Sequence, residues 1–322
     1  MKRQKEKGKK KTAFVSQTIL ALFIITRPLN VAITGLAILV AAALVEPFDF
    51  TFAVAGAMIS GMLIAAGANV INDLCDLDID RINRPQRVLP SERLMPAAAL
   101  AFTIFLLACG NFFSIFINKA ALMIAVGSSI LLVVYSLRLK RQPLTGNLAV
   151  SAATALAFIY GAIAAQAGLS RAEASDGILG MSSLNDVVTL ASSWHRDWRA
   201  GIFPAAFSFL FHFGREVIKD IEDQAGDRAM RARTLPLVYG LGAAQAAATV
   251  AFVLLILATL LPFYRGIYNI TYLWIVIGGV DLVLVAAIYV LWKNPAPPRM
   301  RQLSAVLKAD MLIGLAAIYF GR

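Results

Sequence analysis

Two stretches with matching acidic residues are the part of this sequence that most clearly indicates chemistry. The first, NDLCDLDIDR, occupies residues 72–81, and the second, KDIEDQAGDR, occupies residues 219–228. In register they align six aspartates, namely Asp73, Asp76 and Asp80 with Asp220, Asp223 and Asp227. The spacing i, i+3 and i+7 predicts that each set lies on one face of a helix. Stacked carboxylates repel one another, so the pattern predicts that a cation binds between them.

Magnesium is the cation that best fits these side chains, because Mg²⁺ binds carboxylates together with substrate phosphates. We predict one Mg²⁺ on each set of three aspartates, both bridging the oxygens of a diphosphate. Metal there would neutralise the charge that develops as the diphosphate leaves. The predicted catalytic residues are therefore Asp76, Asp80, Asp223 and Asp227. Asn72, four residues before Asp76, is predicted to add a neutral oxygen or an amide donor for the substrate.

The elements that position these residues are predicted to be membrane-spanning helices. The sequence is 59% hydrophobic with a mean hydropathy of +0.72, well above a soluble domain. The predicted fold class is therefore all-α, a polytopic membrane protein with about nine transmembrane helices. The predicted spans are residues 17–45, 50–70, 96–116, 120–137, 147–165, 202–218, 235–263, 272–292 and 303–320. These helices are predicted to surround a central cavity that is accessible to lipid.

The charges of the loops predict the orientation of these spans. Basic clusters follow the second, fourth, sixth and eighth spans, whereas the third and seventh spans are followed by loops of little charge. The positive-inside rule then places the N-terminus and both acidic stretches in the cytoplasm. Residues 1–12, MKRQKEKGKKKT, are predicted to be a basic cytoplasmic leader against anionic lipid. The net charge of +11 also suits nucleic acid, but without a folded basic domain no nucleic-acid partner is predicted.

The domain organisation is predicted to be simple. Residues 13–322 form one transmembrane domain with two pseudo-repeated halves, each carrying one acidic stretch, and residues 168–199 form a longer outer-side loop. His195, in that loop, is predicted to be an interfacial polar residue, and His212, inside the sixth span, a satisfied buried histidine. Glu222 is expected to point away from the acidic face into solvent.

Taken together, these motifs resemble the UbiA superfamily of intramembrane prenyltransferases. NDxxDxxxD at residues 72–80 and DxxDxxxD at residues 220–227 look like the two signatures of that family, and DRINRP and YSLRLKR extend the similarity. Within the family, REVIKDIEDQAGDR followed by RTLPLVYG is most similar to the digeranylgeranylglyceryl phosphate synthases. The resemblance implies Mg²⁺-dependent transfer of a prenyl group, geranylgeranyl in that branch, from its diphosphate to a lipophilic acceptor such as geranylgeranylglyceryl phosphate.

Basic residues are expected to complete the binding of both anionic substrates. Arg27, at the Arg-Pro-x-Asn of the first span, and Lys140, in YSLRLKR, resemble family contacts to the diphosphate. Three loop arginines are predicted to meet the phosphate of the acceptor, because the guanidinium group binds phosphate in a bidentate way that lysine cannot copy. These are Arg84, Arg87 and Arg231.

Other acceptors, and one other class of protein, stay open. An aromatic acid that is a quinone precursor would need an aromatic slot, and a (bacterio)chlorophyllide would need a wide cavity. The non-enzyme alternative is a cation-coupled transporter, whose intramembrane carboxylates would carry ions. The carboxylates are predicted to lie at the cytoplasmic edge of the membrane and not at its midplane. This position favours binding of a metal and a diphosphate over ion transport. The predicted partners are thus a prenyl diphosphate, a lipophilic acceptor and membrane lipids, with no protein partner.

Overall fold

The computed structural model describes residues 16–175, 197–229 and 231–322. The predicted basic leader at residues 1–12 and His195 lie outside the described residues, as does most of the predicted outer loop. Throughout the described ranges the regular structure is helical, so the predicted all-α class is confirmed.

Thirteen helices are numbered here in chain order. They are α1 Ser16–Ile25, α2 Pro28–Ala43, α3 Phe52–Cys75, α4 Leu77–Asn83, α5 Pro96–Ile115, α6 Lys119–Leu137, α7 Thr145–Ser175, α8 Ile202–Glu222, α9 Gln224–Ala229, α10 Leu235–Tyr239, α11 Leu241–Tyr264, α12 Ile270–Lys293 and α13 Pro297–Gly321. A π-helical turn at Val276–Asp281 interrupts α12.

Seven of these helices are long and apolar enough to cross a membrane, namely α3, α5, α6, α7, α11, α12 and α13. Helices α1 and α2 add an eighth span if the bent pair is counted as one. The sixth predicted span corresponds to α8, which does not meet the same criterion because Arg215, Glu216 and Lys219 occupy its last turns. The described residues therefore support seven or eight spans by length and composition, and the predicted count of nine is not confirmed.

Two backbone breaks differ from the predicted spans. Helices α1 and α2 meet at an angle of 51°, because Arg27 takes the left-handed conformation with φ 56° and Pro28 disfavours a helical conformation in the residue before it. The predicted seventh span is divided at Gly240, whose φ of 86° suits glycine and not a residue with a side chain.

The outward faces of the long helices carry large apolar side chains. Ile104 of α5 is 62% exposed and Trp274 of α12 is 71% exposed, and many similar residues surround them. A water-soluble protein rarely leaves so continuous an apolar surface uncovered. The helices instead present apolar residues on all sides, as expected for spans surrounded by lipid.

Close packing at the centre of the bundle depends on small residues. At Gly161 of α7, an added Cβ would lie 2.2 Å from the backbone oxygen of Ile38 in α2 and 3.1 Å from the Cβ of Ala41. Contacts of this kind let helix backbones approach closely in a membrane, where the hydrophobic effect does not drive helices together. Gly127 of α6 has no atom within 4 Å of such a Cβ, which makes it a natural comparison.

We expect Gly161→Ala to destabilise the bundle and Gly127→Ala to leave it unchanged or slightly more stable. The added methyl at residue 161 must push α7 away from α2, which we expect to lower the free energy of unfolding by about 1–3 kcal/mol. At the open position 127 the methyl meets no other atom, and alanine is a better helix former than glycine. Thermal unfolding of both variants in the same detergent measures this difference. Equal melting temperatures for the two variants would show that α2 and α7 are not in the described contact.

Candidate active site

Both acidic stretches break their helix at the middle aspartate. Helix α3 ends at Cys75 and α4 begins at Leu77, with Asp76 between them at φ −94° and ψ 3°. Helix α8 ends at Glu222 and α9 follows, with Asp223 between them at φ −90° and ψ 6°. The prediction that each set lies along one continuous helix face was therefore wrong. Both aspartates take the sparsely populated bridge conformation, in which active-site residues are often found.

The two stretches lie against each other, and Arg84 joins them. Its guanidinium donates to Asp223 Oδ1 at 2.9 Å and to Glu222 Oε1 at 3.2 Å, although these partners are 139 and 138 residues away in sequence. Beside this contact, a Cβ at Gly226 would lie 2.1 Å from the side-chain nitrogen of Asn83. The segments after the two helix breaks thus pack directly on each other.

In the first stretch every aspartate of the predicted set has a cationic partner. Arg27 donates to Asp73, and Arg87 donates to Asp73 at 3.3 Å and to Asp80 at 2.6 Å. Lys140 donates to Asp76 at 2.6 Å. Arg87 and Arg27 share the buried Asp73, so they hold the loop after α4 against the start of α2.

Asn72 completes this arrangement. Its amide nitrogen donates to Asp76 Oδ2 at 3.1 Å, and its side-chain oxygen lies 3.3 Å from the ammonium of Lys140. The structure therefore places Asn72 and Lys140 together on Asp76, as their predicted roles at the same substrate require.

The second stretch is held mainly by residues of its own helix and by α7. Asn147 donates to Asp220 Oδ2 at 2.9 Å. Lys219 donates to Glu216 at 2.7 Å, and Arg215 contacts the same carboxylate at 3.3 Å. Glu216 itself is only 8% exposed.

Glu222 is the clearest correction to the sequence analysis. It was expected to point into solvent, but it is only 8% exposed and accepts hydrogen bonds from Arg84 and from Arg301, the latter at 3.0 Å. Glu222 is the last residue of α8, and its burial comes from Arg84 and Arg301, which distant parts of the chain bring to its carboxylate.

A cavity of about 690 Å³ lies between the helices. Side chains from α2, α3, α6, α7, α8, α11, α12 and α13 line it, and most of this lining is apolar, with Ile33, Ile64, Leu132, Phe207 and Leu255 among its residues. Charged and amide side chains occupy the part nearest the acidic stretches. These are Arg27, Asn30, Asn69, Asn72, Arg84, Arg87, Arg215, Glu216, Lys219, Glu222, Arg301 and Lys308.

The six aspartates do not line this cavity themselves; several of their partners do. Arg27, Arg84 and Arg87 lie between the carboxylates and the cavity. A guanidinium group has five N–H donors, so each of these arginines keeps donors for a ligand while it holds an aspartate.

The electrostatics of the second stretch favour an added cation. Burial, and after it the charge of the neighbouring Asp223 carboxylate, raises the pKa of Asp227 to about 6. Burial also raises the pKa of Asp223, against the opposing charge of Arg84. In the first stretch, burial raises the pKa of Asp80, and Arg87 offsets part of that rise. Negative charge at these aspartates is thus incompletely compensated by the protein.

Mg²⁺ fits these residues chemically, although they do not form a closed metal cage. In the part of the chain that is described, no three His, Cys, Asp or Glu side chains come together as a metal-binding group. Mg²⁺ usually binds one or two carboxylates and completes its shell with substrate phosphates and water. Hard carboxylate oxygens with uncompensated charge meet that requirement, so the two predicted Mg²⁺ sites stay predictions.

The predicted basic residues fall into three groups. Arg27, Arg84 and Arg87 line the cavity, and each also holds a carboxylate. Lys140 is paired with Asp76 outside the cavity lining. Arg231 is exposed and does not line the cavity, so its predicted contact with substrate has no support from its position.

His212 was predicted to be a satisfied buried histidine; it is hydrogen-bonded but only half-buried. Its Nδ1 lies 2.8 Å from the backbone oxygen of Ser208, and its side chain lines the cavity.

Several cavity residues were missed by sequence reasoning. Arg215, Glu216, Lys219 and Lys308 were not singled out, although charged residues within spans are costly and therefore informative. Asn147, which lies outside the cavity lining, was not singled out either, and its contact with Asp220 crosses 73 residues of sequence.

Two deeper carboxyl groups were missed as well. Asp310, near the middle of α13, lines the cavity and is 3% exposed, and neither of its side-chain oxygens has a hydrogen-bond partner in the described part of the protein. Asp281, near the middle of α12, lies 3.4 Å from the hydroxyl of Thr259. Both would have been found by asking for ionisable residues inside predicted spans.

Comparison with known proteins agrees with this geometry. Residues 30–307 match the model of the UbiA prenyltransferase family. The chain is 30% identical over 296 residues to a digeranylgeranylglyceryl phosphate synthase of Methanopyrus kandleri, covering 91% of this chain and 96% of that protein. It is 33% identical over 307 residues to the synthase of Methanoculleus marisnigri, covering 93% and 97%.

Solved structures show the same fold. A structure of digeranylgeranylglyceryl phosphate synthase superimposes with a TM-score of 0.69 at 27% identity, covering 94% of this chain and 98% of that one. A UbiA homolog from Archaeoglobus fulgidus, bound to GPP and Mg²⁺, gives a TM-score of 0.64 at 15% identity over 92% of this chain and 99% of its own.

We expect Arg84→Met to lower both activity and stability, because it removes the only described ion pairs between the two acidic stretches and leaves Asp223 without its cation. Because this ion pair is partly exposed to solvent, we expect its loss to lower the free energy of unfolding by about 1–3 kcal/mol. Arg81→Met is the matched control, since Arg81 is 58% exposed and pairs locally with Asp78. Prenyl transfer and melting temperature are measured for both. Equal losses in the two variants would contradict the bridging role of Arg84.

Proposed function

The chain belongs to the UbiA prenyltransferase family, and we propose that it transfers a geranylgeranyl group from its diphosphate to a hydroxyl of geranylgeranylglyceryl phosphate. It is a multi-pass membrane prenyltransferase. The observation that carries the proposal is the cavity described above, which is lined by arginines beside two acidic stretches and is apolar over most of its remaining wall.

The two ends of the cavity suit the two ends of a prenyl diphosphate. The polyanionic head fits the end where Arg27, Arg84 and Arg87 present guanidinium groups, which bind phosphate oxygens through charge-assisted hydrogen bonds. The isoprenoid tail fits the apolar wall, where its burial is favourable and water is excluded. A cavity of about 690 Å³ lies within the ordinary range for sites that enclose a large ligand.

The proposed reaction breaks one bond and forms another. The bond between C1 of the prenyl group and the diphosphate oxygen breaks, and the electron pair leaves with the diphosphate. The acceptor oxygen bonds to C1, and its proton is released. Arginines held rigidly by aspartates stabilise the charge on the departing diphosphate without having to reorganise, and the apolar wall keeps water away from the reactive allylic carbon.

Mg²⁺ would be held at the helix breaks. Among the motif aspartates that form ion pairs, Asp76 and Asp223 have the most exposed side chains, at 19% and 23%. Asp227 lies in the same region. Asp73, Asp80 and Asp220 complete the predicted ligand sets, with Asp73 and Asp80 already bound by arginines and Asp220 by Asn147. When bound, Mg²⁺ would neutralise charge on the diphosphate.

The acceptor is proposed from the relatives. The two synthases described above, each of which matches over more than nine-tenths of this chain, are named digeranylgeranylglyceryl phosphate synthase. An acceptor that carries a phosphate needs cations in addition to those that bind the diphosphate. The cavity wall has such cations, because it carries other basic residues besides Arg27, Arg84 and Arg87.

The orientation and the domain organisation are part of the proposal. The positive-inside rule puts the N-terminus and both acidic stretches in the cytoplasm, where soluble diphosphates are made available. The matched helix breaks at Asp76 and Asp223 support two pseudo-repeated halves within residues 13–322, although the sequence of each half has diverged.

The acceptor assignment is tested with purified enzyme, labelled geranylgeranyl diphosphate and a panel of acceptors. We expect transfer to geranylgeranylglyceryl phosphate and little to an aromatic acid or a chlorophyllide, because neither supplies a phosphate to the cationic wall. Transfer to one of the other acceptors, with none to the glyceryl phosphate, would overturn the acceptor while leaving the prenyltransferase assignment intact.

Metal dependence is tested with EDTA and with two neighbouring variants. Activity should vanish in chelator and return with Mg²⁺, and Asp76→Asn should abolish it because one metal-binding carboxylate is lost. Asp78→Asn should be nearly neutral, since Asp78 belongs to the same stretch but is 67% exposed and pairs only with Arg81. Full turnover in EDTA, or wild-type activity in Asp76→Asn, would contradict the metal site.

A further inference from the structure

One cation of the cavity lacks a carboxylate. Lys308, in α13, lines the cavity and is partly buried, and in the part of the chain that is described it makes no ion pair and no hydrogen bond. The charges that act on it are those of Arg215, Arg27 and Lys219, all of them positive. Four cations converging on one region of a lipid-embedded bundle repel one another and lose hydration, so this arrangement favours binding of an anion.

The wall around Lys308 carries an excess of positive charge. Arg215 and Lys219 of α8 both pair with Glu216, which is therefore one carboxylate for two cations. Lys308 adds a third cation from the facing helix, and the hydrogen bond from Arg215 to the backbone oxygen of Ser304 keeps α8 and α13 together. These three cations share one paired carboxylate, and Asp310, which also lines the cavity, forms no ion pair with any of them among the described residues. The part of the wall around Lys308 therefore keeps an excess of positive charge.

We propose that Lys308, with Arg215 and Lys219, binds the phosphate of the acceptor. A phosphate monoester carries about two negative charges near neutral pH, so it would be attracted to the positive charge around Lys308. This inference rests on the proposed function, because it assumes a phosphorylated acceptor. It replaces the loop arginines as the main acceptor contacts, since Arg84 and Arg87 hold the acidic stretches and Arg231 lies outside the cavity lining.

The position of this site suits the reaction. The enzyme must hold two anionic ligands at once, and a single set of cations shared between them would leave the ligands to repel each other. The residues of the α8–α13 wall and the set Arg27, Arg84 and Arg87 come from different parts of the chain. The two groups are nevertheless neighbours, because the charge of Arg27 interacts with that of Lys308. The acceptor hydroxyl and phosphate share one three-carbon backbone, so a phosphate at Lys308 would keep the hydroxyl near the head of the prenyl diphosphate.

The test compares two acceptors that differ only in the phosphate, geranylgeranylglyceryl phosphate and geranylgeranylglycerol. In Lys308→Met, the KM for the phosphorylated acceptor should rise roughly tenfold to a hundredfold, the range expected for loss of one charge-assisted contact. The KM for geranylgeranyl diphosphate and the rate with the dephosphorylated acceptor should stay within about twofold of wild type, a change near the resolution of such measurements. Lys308→Arg should recover much of the loss, because it restores the charge.

Lys293→Met is the matched control. It removes the same charge from an exposed residue of α12 that contacts only Tyr289, so it should change neither KM. An equal loss with both acceptors in Lys308→Met, or a selective rise in the KM for the diphosphate, would overturn the assignment of Lys308 to the acceptor. Failure of wild-type enzyme to use the phosphorylated acceptor would instead overturn the proposed function.

A second measurement does not depend on the folding of a variant. Glycerol 1-phosphate should inhibit the wild-type enzyme competitively against the acceptor and not against geranylgeranyl diphosphate. Competition against the diphosphate alone would show that the excess positive charge serves the prenyl donor, and the proposal would be wrong.

Discussion

Compensation of charge inside an apolar bundle is the constraint on which the site depends. The motif side carries seven carboxylates, the six aspartates and Glu222, and five cations contact them. The α8–α13 wall carries three further cations, two of which pair with Glu216, and the unpaired carboxylate of Asp310. The site is thus polarised, with an excess of negative charge at the acidic stretches and an excess of positive charge around Lys308. Mg²⁺ is drawn to the first side and a phosphate to the second, since both charges are strengthened by the low dielectric around them.

The broken helices follow from the same constraint. Three carboxylates along one uninterrupted helix would face a single direction and repel one another. The breaks at Asp76 and Asp223 turn α4 and α9 away from the spans that precede them, so the aspartates meet different partners and the two stretches can approach. The left-handed backbone at Arg27 has a similar role, because it brings the guanidinium group to Asp73. Strain of this kind persists only where surrounding contacts fix it.

The sequence was informative where one residue type repeats at a fixed spacing. The spans could be placed because apolar runs need about 20 residues to cross a bilayer, and the two acidic stretches could be aligned because their aspartates match. Partners could not be predicted, because Arg84 and Glu222 are 138 residues apart and no local pattern links them. Glu222 was misplaced because its partners Arg84 and Arg301 come from distant parts of the sequence. Lys308 was missed because a lone lysine in an apolar helix carries no repeated pattern, although its position within a predicted span marks it as costly.

The polarity of the site also bears on which acceptor it can accept. A neutral or aromatic acceptor would leave the charge of Lys308 without a counterion in a largely apolar cavity, and a buried charge without a partner is costly. A phosphorylated acceptor removes that cost when it binds, so the wall discriminates against acceptors that lack a phosphate as well as attracting those that have one. Discrimination of this kind does not require a closely fitting pocket. A cavity that admits isoprenoid chains of different shape can therefore still be selective, because the selection is made at the charged end and not along the apolar wall.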